Sequence, residues 1–342
     1  MNRMKYLISI VLFFDFCLLS FVSAQNREIS FKTYTINNGF CKGIQTHFGS
    51  LLFIPDNAFI NEKGETCTKT VTIKYREFHS QLDMFYSGLN MIWQEGSRRY
   101  ILESVGMFEI EAWCGEQKLK LKENKLIQVR MKTRRDLKGL SSFIYDRQKN
   151  SWSKYNSPVV DFSFFDKRNN ADSVSFWGSG RVSAASATVD VETSGGIYNP
   201  VTYFNKFPEG FFKGMNIKEM GIFNYDGVIK DSLAIPMQPE MLVRESKTMI
   251  DQKIYVTYPN RNTLVYYNPE DLKENFVLLN VKGIRMFTEF KDGSFAATKE
   301  EELNLMVLET YRKQKVSFLF DKLPAKPKNE KELLGITGLK AE

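Results

Sequence analysis

The chain has 342 residues, of which 43% are hydrophobic, 14% aromatic and 25% charged, and its formal net charge is +7. This composition can build real hydrophobic cores, and the length favours two domains of roughly 150 residues each. The 47 lysines and arginines are spread along the chain, whereas nucleic-acid binders cluster their positive charge, so no nucleic-acid partner is expected.

The N-terminus is typical of a cleavable secretory signal. Arg3 and Lys5 precede an apolar run over 6–22, and small residues occupy the −3 and −1 positions of a cleavage site. Asp15 interrupts the run, and a charge at the centre of a bilayer costs roughly 2.5–3.5 kcal/mol, which disfavours a permanent anchor. We therefore predict a signal peptide over 1–24, no integral membrane segment after its cleavage, and export to the periplasm, the outer membrane or the extracellular space.

Residues 27–157 are predicted to form an antiparallel β-sandwich. Over 49–114, short alternating segments are separated by turn residues with no helical spacing, a pattern typical of such a fold. Val71, Ile73 and Tyr75 share one face of a strand while polar residues take the other, a period of two. Seven or eight such strands suffice for one sandwich. The predicted strands are 28–36, 43–54, 68–78, 84–93, 100–114, 125–132 and 142–145.

Three cysteines follow the predicted signal: Cys41, Cys67 and Cys114. Disulfides persist in exported chains. A bond between Cys41 and Cys67 would close a loop of about 26 residues, which the chain-entropy model values at roughly 3 kcal/mol. This pair is the candidate disulfide, and Cys114 is expected to be a small buried apolar residue. No thiol is expected to act as a nucleophile or to bind a metal.

Five charged residues interrupt an otherwise apolar stretch, namely Arg76, Glu77, His79, Asp83 and Glu103. Buried charges need partners, so the favoured interpretation is an ion pair of Arg76 with Glu103 or with Asp83 that holds the edge of the sheet. The alternative is a binding or catalytic cluster. Carboxylates and imidazoles could hold a cation, but no EF-hand or HExxH spacing occurs, and no metal site is predicted.

Trp113 is the aromatic residue singled out for binding. Strand alternation places it with Glu109 and Glu111, on the face opposite Ile110. Because tryptophan supplies binding energy at interfaces, Trp113 joins the five charged residues above as a candidate binding residue. Three further tryptophans are candidates only where they are exposed: Trp93, Trp152 and Trp177.

Two segments follow the predicted sandwich. Residues 158–197 are predicted to be a linker or a long excursion, because Ser, Ala, Gly and Thr dominate and core-forming residues are scarce. Residues 198–342 are predicted to form a second β-rich domain, with Asp226-Gly227 as one of its turns. The predicted strands of this domain are 221–225, 253–258, 263–267, 276–279 and 284–290.

The second domain is expected to carry one or two short helices. Thr298 and Glu301 resemble a capping box, which predicts a helix over 299–312. A short closing helix is predicted over 330–334. The fold class is therefore mainly all-β.

The run GSLLFIPDNAF at 49–59 resembles the core motif of the β-sandwich domain shared by zonula-occludens proteins, ankyrins and netrin receptors. Together with VTIKYREF, SGLNM and LESVGMFEI it is similar to a family of exported bacterial envelope proteins, uncharacterised in function, that carry such a domain. This resemblance covers roughly residues 43–156, and the part over 220–342 resembles the region that often follows. It implies a scaffold or recognition module. Gly88 and Gly106 are expected where backbones approach closely or a bulge is needed.

The favoured function is that of a non-catalytic binding or structural module. Its expected partner is an envelope or cell-surface protein or glycan, and no cofactor is predicted. The alternative is a hydrolase acting on envelope glycan or peptide, with a polar centre that converges in a pocket. That centre would comprise Glu77, His79, Asp83 and Glu103. Carbohydrate recognition without cleavage predicts an exposed row of aromatic rings. No serine-triad or nucleophile-elbow pattern occurs, so the sequence leaves enzyme activity uncertain and leans against it.

Overall fold

The computed structural model describes residues 28–161 and 211–341, except for residues 69, 97 and 275. The predicted signal, Trp177 and most of the predicted linker lie outside these residues. The described part is mainly β with four short α-helices, which confirms the predicted fold class. We refer to 28–161 together with 211–228 as the sandwich lobe, and to 229–341 as the C-terminal lobe.

The sandwich lobe consists of two facing sheets. Its strands are β1 (Lys32–Asn37), β2 (Lys42–Gln45), β3 (Leu51–Ile54), β4 (Phe59–Ile60), β5 (Thr70–Phe78), β6 (Ile92–Glu95), β7 (Arg98–Cys114), β8 (Gln117–Leu121), β9 (Ile127–Thr133), β10 (Ser141–Asp146), β11 (Ser151–Lys154), β12 (Val160–Asp161), β13 (Phe211–Ile217) and β14 (Gly221–Val228). The nine-stranded sheet has the order β1-β5-β7-β14-β10-β11-β6, with β8 beside β7 and β4 beside β8. The five-stranded sheet has the order β12-β13-β9-β3-β2.

Alternate residues of β5 point into the space between the two sheets. Val71 and Ile73 are fully buried and Tyr75 is 1% exposed. They belong to one apolar cluster with Ile127 and Val129 of β9, on the facing sheet. The predicted period of two in this strand is therefore confirmed.

The nine-stranded sheet closes on itself at one end. Strand β6 pairs with both β7 and β11, so that β7, β14, β10, β11 and β6 form a closed ring of backbone pairing. Strand β7 is 17 residues long, and its register with β14 shifts at a bulge between Tyr225 and Asp226. Gly106 lies at this bulge, where an added Cβ atom would be 2.7 Å from the Cε atom of Met131. The expected close approach at Gly106 is confirmed.

Strands β13 and β14 complete the sandwich lobe, although the sequence interpretation placed them in the second domain. Strand β13 pairs with β9 along its whole length, and β14 is inserted between β7 and β10. The change from one set of sheets to the other therefore comes after Val228 and not at the predicted boundary before residue 198. Asp226 and Gly227, predicted as a turn, lie within β14.

A helix, α1 (Gln81–Ser87), interrupts the stretch that was predicted to contain strands alone. The Ser80 side chain accepts a hydrogen bond from the Asp83 amide, and the Asp83 carboxylate accepts one from the Ser80 amide, which forms a capping box. Gly88 ends the helix with φ of +66°, so its role is that of a helix cap and not of a bulge. The predicted strand over 84–93 was wrong in its first part, because local capping overrides the alternating pattern.

The C-terminal lobe is built on a six-stranded sheet. Its strands are β15 (Ala234–Pro236), β16 (Gln238–Val243), β17 (Ile254–Thr257), β18 (Leu264–Tyr267), β19 (Val277–Leu279), β20 (Arg285–Glu289), β21 (Phe295–Ala297) and β22 (Lys315–Lys322). The sheet order is β16-β22-β21-β20-β17-β18, and β15 pairs separately with β19. All pairs in this sheet are antiparallel except β16 with β22.

Three helices lie in the C-terminal lobe: α2 (Pro269–Glu274), α3 (Glu300–Leu305) and α4 (Glu330–Thr337). The predicted helix over 299–312 was too long, and Thr298 does not cap it. Its hydroxyl instead bonds to the backbone of Met286 on β20. The predicted closing helix is confirmed as α4, with Asn329 as its N-cap.

The disulfide joins Cys67 to Cys114, so the predicted partner Cys41 was wrong. Cys41 is an exposed free thiol. Sequence spacing favoured the shorter loop, but the fold brings the start of β5 beside the end of β7, with the two Cα atoms 6.2 Å apart. The larger loop stabilises the fold by about 4 kcal/mol in the chain-entropy model.

The two lobes share a core and a set of buried polar contacts. A third apolar cluster combines residues of both lobes, including Leu82, Trp93 and Trp152 with Leu264 and Phe287. Three amide side chains make hydrogen bonds across the junction to backbone groups of the other lobe: Gln81, Asn90 and Asn262. Because these amides are buried and satisfied, they fix how the lobes meet.

Candidate functional site

The five charged candidates do not converge on one pocket. Arg76 and Glu77 are neighbours on β5 and point to opposite faces of the nine-stranded sheet. Asp83 accepts hydrogen bonds from the amides of His79 and Ser80, and therefore caps α1. The predicted ion pairs of Arg76 with Glu103 or Asp83 do not form.

Glu103 belongs instead to the junction between the lobes. Its carboxylate lies 3.0 Å from Arg135 Nη1 and 2.6 Å from Arg261 Nη1. Arg261 comes from the turn between β17 and β18, so this contact joins the C-terminal lobe to β7. Both carboxylate oxygens of Glu103 accept from an arginine, so these two ion pairs account for the position of this side chain without a ligand.

Arg76 lies on the outer face of the nine-stranded sheet, the face turned away from the five-stranded sheet. Its side chain is 5% exposed and donates to Glu109 at 2.7 Å and to Glu28 at 3.0 Å. Glu109 is 6% exposed and also accepts from Arg147 Nη2 at 3.0 Å. The guanidinium carbon of Arg76 lies 4.1 Å from the ring centroid of Phe31, which covers it. Glu109 is thus held between two arginines.

Glu77 points between the two sheets, where its side chain is fully buried. One carboxylate oxygen lies 2.7 Å from His79 Nε2, and the other accepts from the Thr46 hydroxyl at 3.1 Å. Burial, with the charge of Glu77, raises the pKa of Tyr75 well above its ordinary value. His79 Nδ1 is buried without a hydrogen-bond partner in the described part of the chain. Thr46 donates to the carboxylate and not to the imidazole, so these side chains do not form a catalytic triad.

Two adjoining hollows meet at the outer-face side chains of Glu109, Glu111 and Arg147, and we call them together the outer groove. The larger hollow also reaches the ends of β10 and β14, where Ile144 and Ser153 belong to the other face of the sheet. The volumes of the two hollows are about 490 and 410 Å³. Three side chains line both of them: Glu109, Glu111 and Arg147. The sequence analysis did not identify Arg147 as a candidate. This residue lies in the turn after β10, and only the pairing of β14 between β10 and β7 brings it close to Glu109.

Trp113 lies beside the outer groove and is half-buried. Its indole nitrogen donates to Glu111 at 3.0 Å, which confirms that the two side chains share a face. Lys74 Nζ lies 4.6 Å from the ring centroid, and Lys118 Nζ lies 2.7 Å from Glu111. Partial burial opposes ionisation of Glu111, but the hydrogen bonds from Lys118 and Trp113 outweigh it, and its pKa lies below the ordinary value. The other two tryptophans in the described residues, Trp93 and Trp152, are buried.

Asp226 is a buried acid that sequence reasoning missed. It is fully buried, and neither carboxylate oxygen makes a hydrogen bond of good geometry to a described residue. Burial, with Glu103 nearby, raises the pKa of Asp226 well above its ordinary value, against the opposing effect of Asn224 and Ser104. Ser104 is bonded to Asn262 of the C-terminal lobe, so Asp226 lies beside the lobe junction.

Within the described residues, no group of three or more His, Cys, Asp and Glu side chains is placed to hold a metal ion. Among the same residues, no helix combines the length and the hydropathy needed to cross a bilayer. No protein-family model, curated protein or solved structure matches this chain.

Proposed function

We propose that the protein is an exported, non-catalytic component of the cell envelope that binds another envelope or cell-surface protein in the outer groove. The observation that carries this proposal is the groove itself, two adjoining hollows on a paired sheet whose side chains are fixed by mutual hydrogen bonds. Sites on rigid strands hold a partner without a large loss of conformational entropy.

The separation of the polar candidates favours binding over hydrolysis. The alternative hydrolase needs an acid and a base that face one cavity. Glu77 and His79 lie between the sheets, Glu103 lies at the lobe junction, and Asp83 caps a helix. None of these four lines either hollow of the groove.

The state of the aromatic rings favours a protein partner over a glycan. Sugars are recognised by exposed aromatic faces, but Lys74 lies over the ring of Trp113 and Arg76 over that of Phe31. Tyr145, which also lines the groove, is 7% exposed. The resemblance of 49–59 to a domain used for protein contacts supports the same choice, as does the predicted signal.

Photo-crosslinking in the cell tests the proposal. A photoreactive amino acid is placed at Gln148, an exposed residue of the groove, and in a second variant at Glu245, an exposed residue of the C-terminal lobe. We expect a protein adduct from position 148 that position 245 does not give. Ser153→Trp should remove the adduct because the indole fills the larger hollow, while Glu62→Trp, outside the groove, should leave it.

Two results would contradict the proposal. One is a set of adducts that is the same from positions 148 and 245, or that Ser153→Trp leaves unchanged. The other is steady release of product from envelope glycan or peptide by the purified protein, which would establish the hydrolase instead.

A further inference from the structure

Strand β1 forms an open edge of the nine-stranded sheet. Among the described residues it pairs only with β5, from Lys32 to Asn37 and without a shift in register. It contains no proline and no acidic residue, and Lys32 is its one charged side chain. Proteins usually protect such an edge with charge, proline, a bulge or a covering segment, because an open edge pairs with other chains.

The other outer strands of the described sheets are short, interrupted or covered. At one edge of the six-stranded sheet, β16 contains Pro239, and its Met241 carbonyl accepts from the Ile250 amide. At the opposite edge, the Leu264 carbonyl of β18 accepts from the Met91 amide. Strand β2, an edge of the five-stranded sheet, has only four residues. Strand β1 is therefore the longest open edge in the described part of the chain.

The free backbone groups of β1 are those of Thr33 and Thr35. The two-residue turn between β7 and β8 makes Cys114 and Gln117 a hydrogen-bonded pair, so Trp113, one residue earlier, directs its backbone groups to β5. The partner of Trp113 on β5 directs its own groups back to β7, and therefore makes no bond to Thr35 on its other side. The N–H and C=O groups of Thr35, and by the same alternation those of Thr33, point away from the sheet.

Two exposed phenylalanines lie at the two ends of β1. Phe40 is 69% exposed in the turn after the strand. Phe48 is 44% exposed, and the amide of its neighbour His47 donates to the Tyr34 hydroxyl at 3.1 Å. The Phe48 ring packs on His79, which directly follows β5 at the end that pairs with the start of β1. Apolar surface is thus exposed at both ends of the open edge.

The open edge of β1 is complementary to itself. When two β1 strands pair antiparallel with Tyr34 of one copy opposite Tyr34 of the other, Thr33 of each copy lies opposite Thr35 of the other. All the outward N–H and C=O groups of the four threonines are then used, in four hydrogen bonds. In this register Lys32 lies opposite Ile36, so like charges do not face each other.

We propose that the protein forms a two-fold symmetric dimer in which the open edges of two β1 strands pair across the axis. The same symmetry places the end of one β1 beside the start of the other, which brings Phe40 of one copy toward Phe48 of the other. The hydrogen bonds set the register, and the phenylalanines add apolar area that a pair of six-residue strands lacks. This inference goes beyond the proposed function, because it concerns an edge of the sheet and not the outer groove.

Sedimentation velocity tests the proposal with protein purified from cells that express the full chain. The exposed thiol of Cys41 is alkylated, so that a disulfide between copies cannot contribute. We expect a concentration-dependent equilibrium of monomer and dimer. Thr35→Pro removes two of the four hydrogen bonds and should weaken dimerisation at least about 10-fold, while the outward direction of this N–H keeps the pairing with β5. Thr35→Val retains the N–H and should leave the dissociation constant within about 2-fold.

Phe40→Ser tests the same dimer without a change to the backbone groups. Because Phe40 is exposed in the single chain, the fold should be kept, and dimerisation should weaken about 5-fold. Val307→Ser is the matched control, at a side chain that is 65% exposed in the C-terminal lobe, and should have no effect.

A chain that stays monomeric up to about 100 μM overturns the proposal. A dimer that neither Phe40→Ser nor a folded Thr35→Pro weakens overturns it as well. Circular dichroism establishes that each variant is folded, and if Thr35→Pro does not fold, the result for Phe40→Ser decides.

Discussion

Arg76 and Glu77, neighbours on opposite faces of β5, lie in different surroundings. On the outer face, Arg76 pairs with Glu109, whose second arginine, Arg147, has a half-exposed side chain. On the inner face, Glu77 is fully buried and meets His79 and the Thr46 hydroxyl. The outer set is thus continuous with solvent through Arg147, while the inner set is closed within the sandwich.

This difference indicates which charges contribute mainly to stability and which remain open to a ligand. A fully buried carboxylate without its partner is strongly destabilising, because its desolvation is no longer offset. A half-exposed ion pair contributes little to stability but sets the electric field that a ligand meets. The inner set therefore contributes to the fold alone, whereas the outer set combines a buried pair, Arg76 with Glu109, with the half-exposed Arg147 that a ligand can reach.

Removal of the inner histidine should have the largest effect. His79→Ala removes the imidazole that lies 2.7 Å from the buried Glu77 carboxylate, and we expect the free energy of unfolding to fall by about 3–5 kcal/mol. Urea denaturation followed by circular dichroism measures the change. His47, the other histidine of the chain, is exposed, and His47→Ala provides the control. Equal losses in the two variants would contradict the assignment of His79 to the fold.

Glu109→Gln tests the buried part of the outer set. The substitution keeps the shape but takes the charged partner from Arg76, which retains Glu28 and the Ile29 carbonyl. We expect a loss of about 2–3 kcal/mol in urea denaturation. Glu111→Gln, on the same face but with a side chain that is 18% exposed and bonded to the exposed Lys118, should lose less than about 1 kcal/mol. A larger loss for Glu111 than for Glu109 would reverse this ranking.

Asp226→Asn tests the buried acid beside the lobe junction. Here the substitution is expected to raise the free energy of unfolding, whereas His79→Ala and Glu109→Gln lower it. Since the pKa of Asp226 is raised in the folded protein, its contribution is fully favourable below the unfolded pKa of about 3.9 and is lost as the pH rises toward the folded pKa. Asparagine does not titrate. We expect the variant to be more stable by about 1–2 kcal/mol at high pH, with the gain vanishing near pH 4. Melting temperatures of the two proteins, measured at a series of pH values, test this expectation. A stability gain that is the same at every pH would contradict it.

Arg147→Ala should have the smallest effect on stability and separates the two roles. Its side chain is half-exposed, so the loss in urea denaturation should stay below about 1 kcal/mol. The groove loses one of the side chains that line both of its hollows, so the protein adduct from position 148 should become weaker while the fold is kept. An unchanged adduct would show that Arg147 does not contact the partner.

Some of this structure could be read from the sequence because it depends on neighbours along the chain. The period of two in β5 and the shared face of Glu111 and Trp113 are local properties, and both are confirmed. The capping box of Ser80 and Asp83 is equally local and was missed among strand signals, so a stricter check for caps would have found α1.

Other features depend on pairing between distant segments and left no local sign. The partner of Cys67 is set by the register of β5 with β7, and the outer groove by the insertion of β14 between β7 and β10. Glu28, Arg147 and Glu219 enter the groove from three separate parts of the chain. No spacing rule places such residues together.

The position of β13 and β14 late in the chain affects how the sandwich lobe can fold during synthesis. Strand β12 ends at Asp161 and β13 begins only at Phe211, yet β14 lies at the centre of the nine-stranded sheet. A nascent chain that stops before Phe211 would leave β7, β9 and β10 each with an unpaired edge, and such edges recruit other chains. Biogenesis therefore has a vulnerable interval, during which a chaperone that shields strand edges would raise the yield of soluble protein.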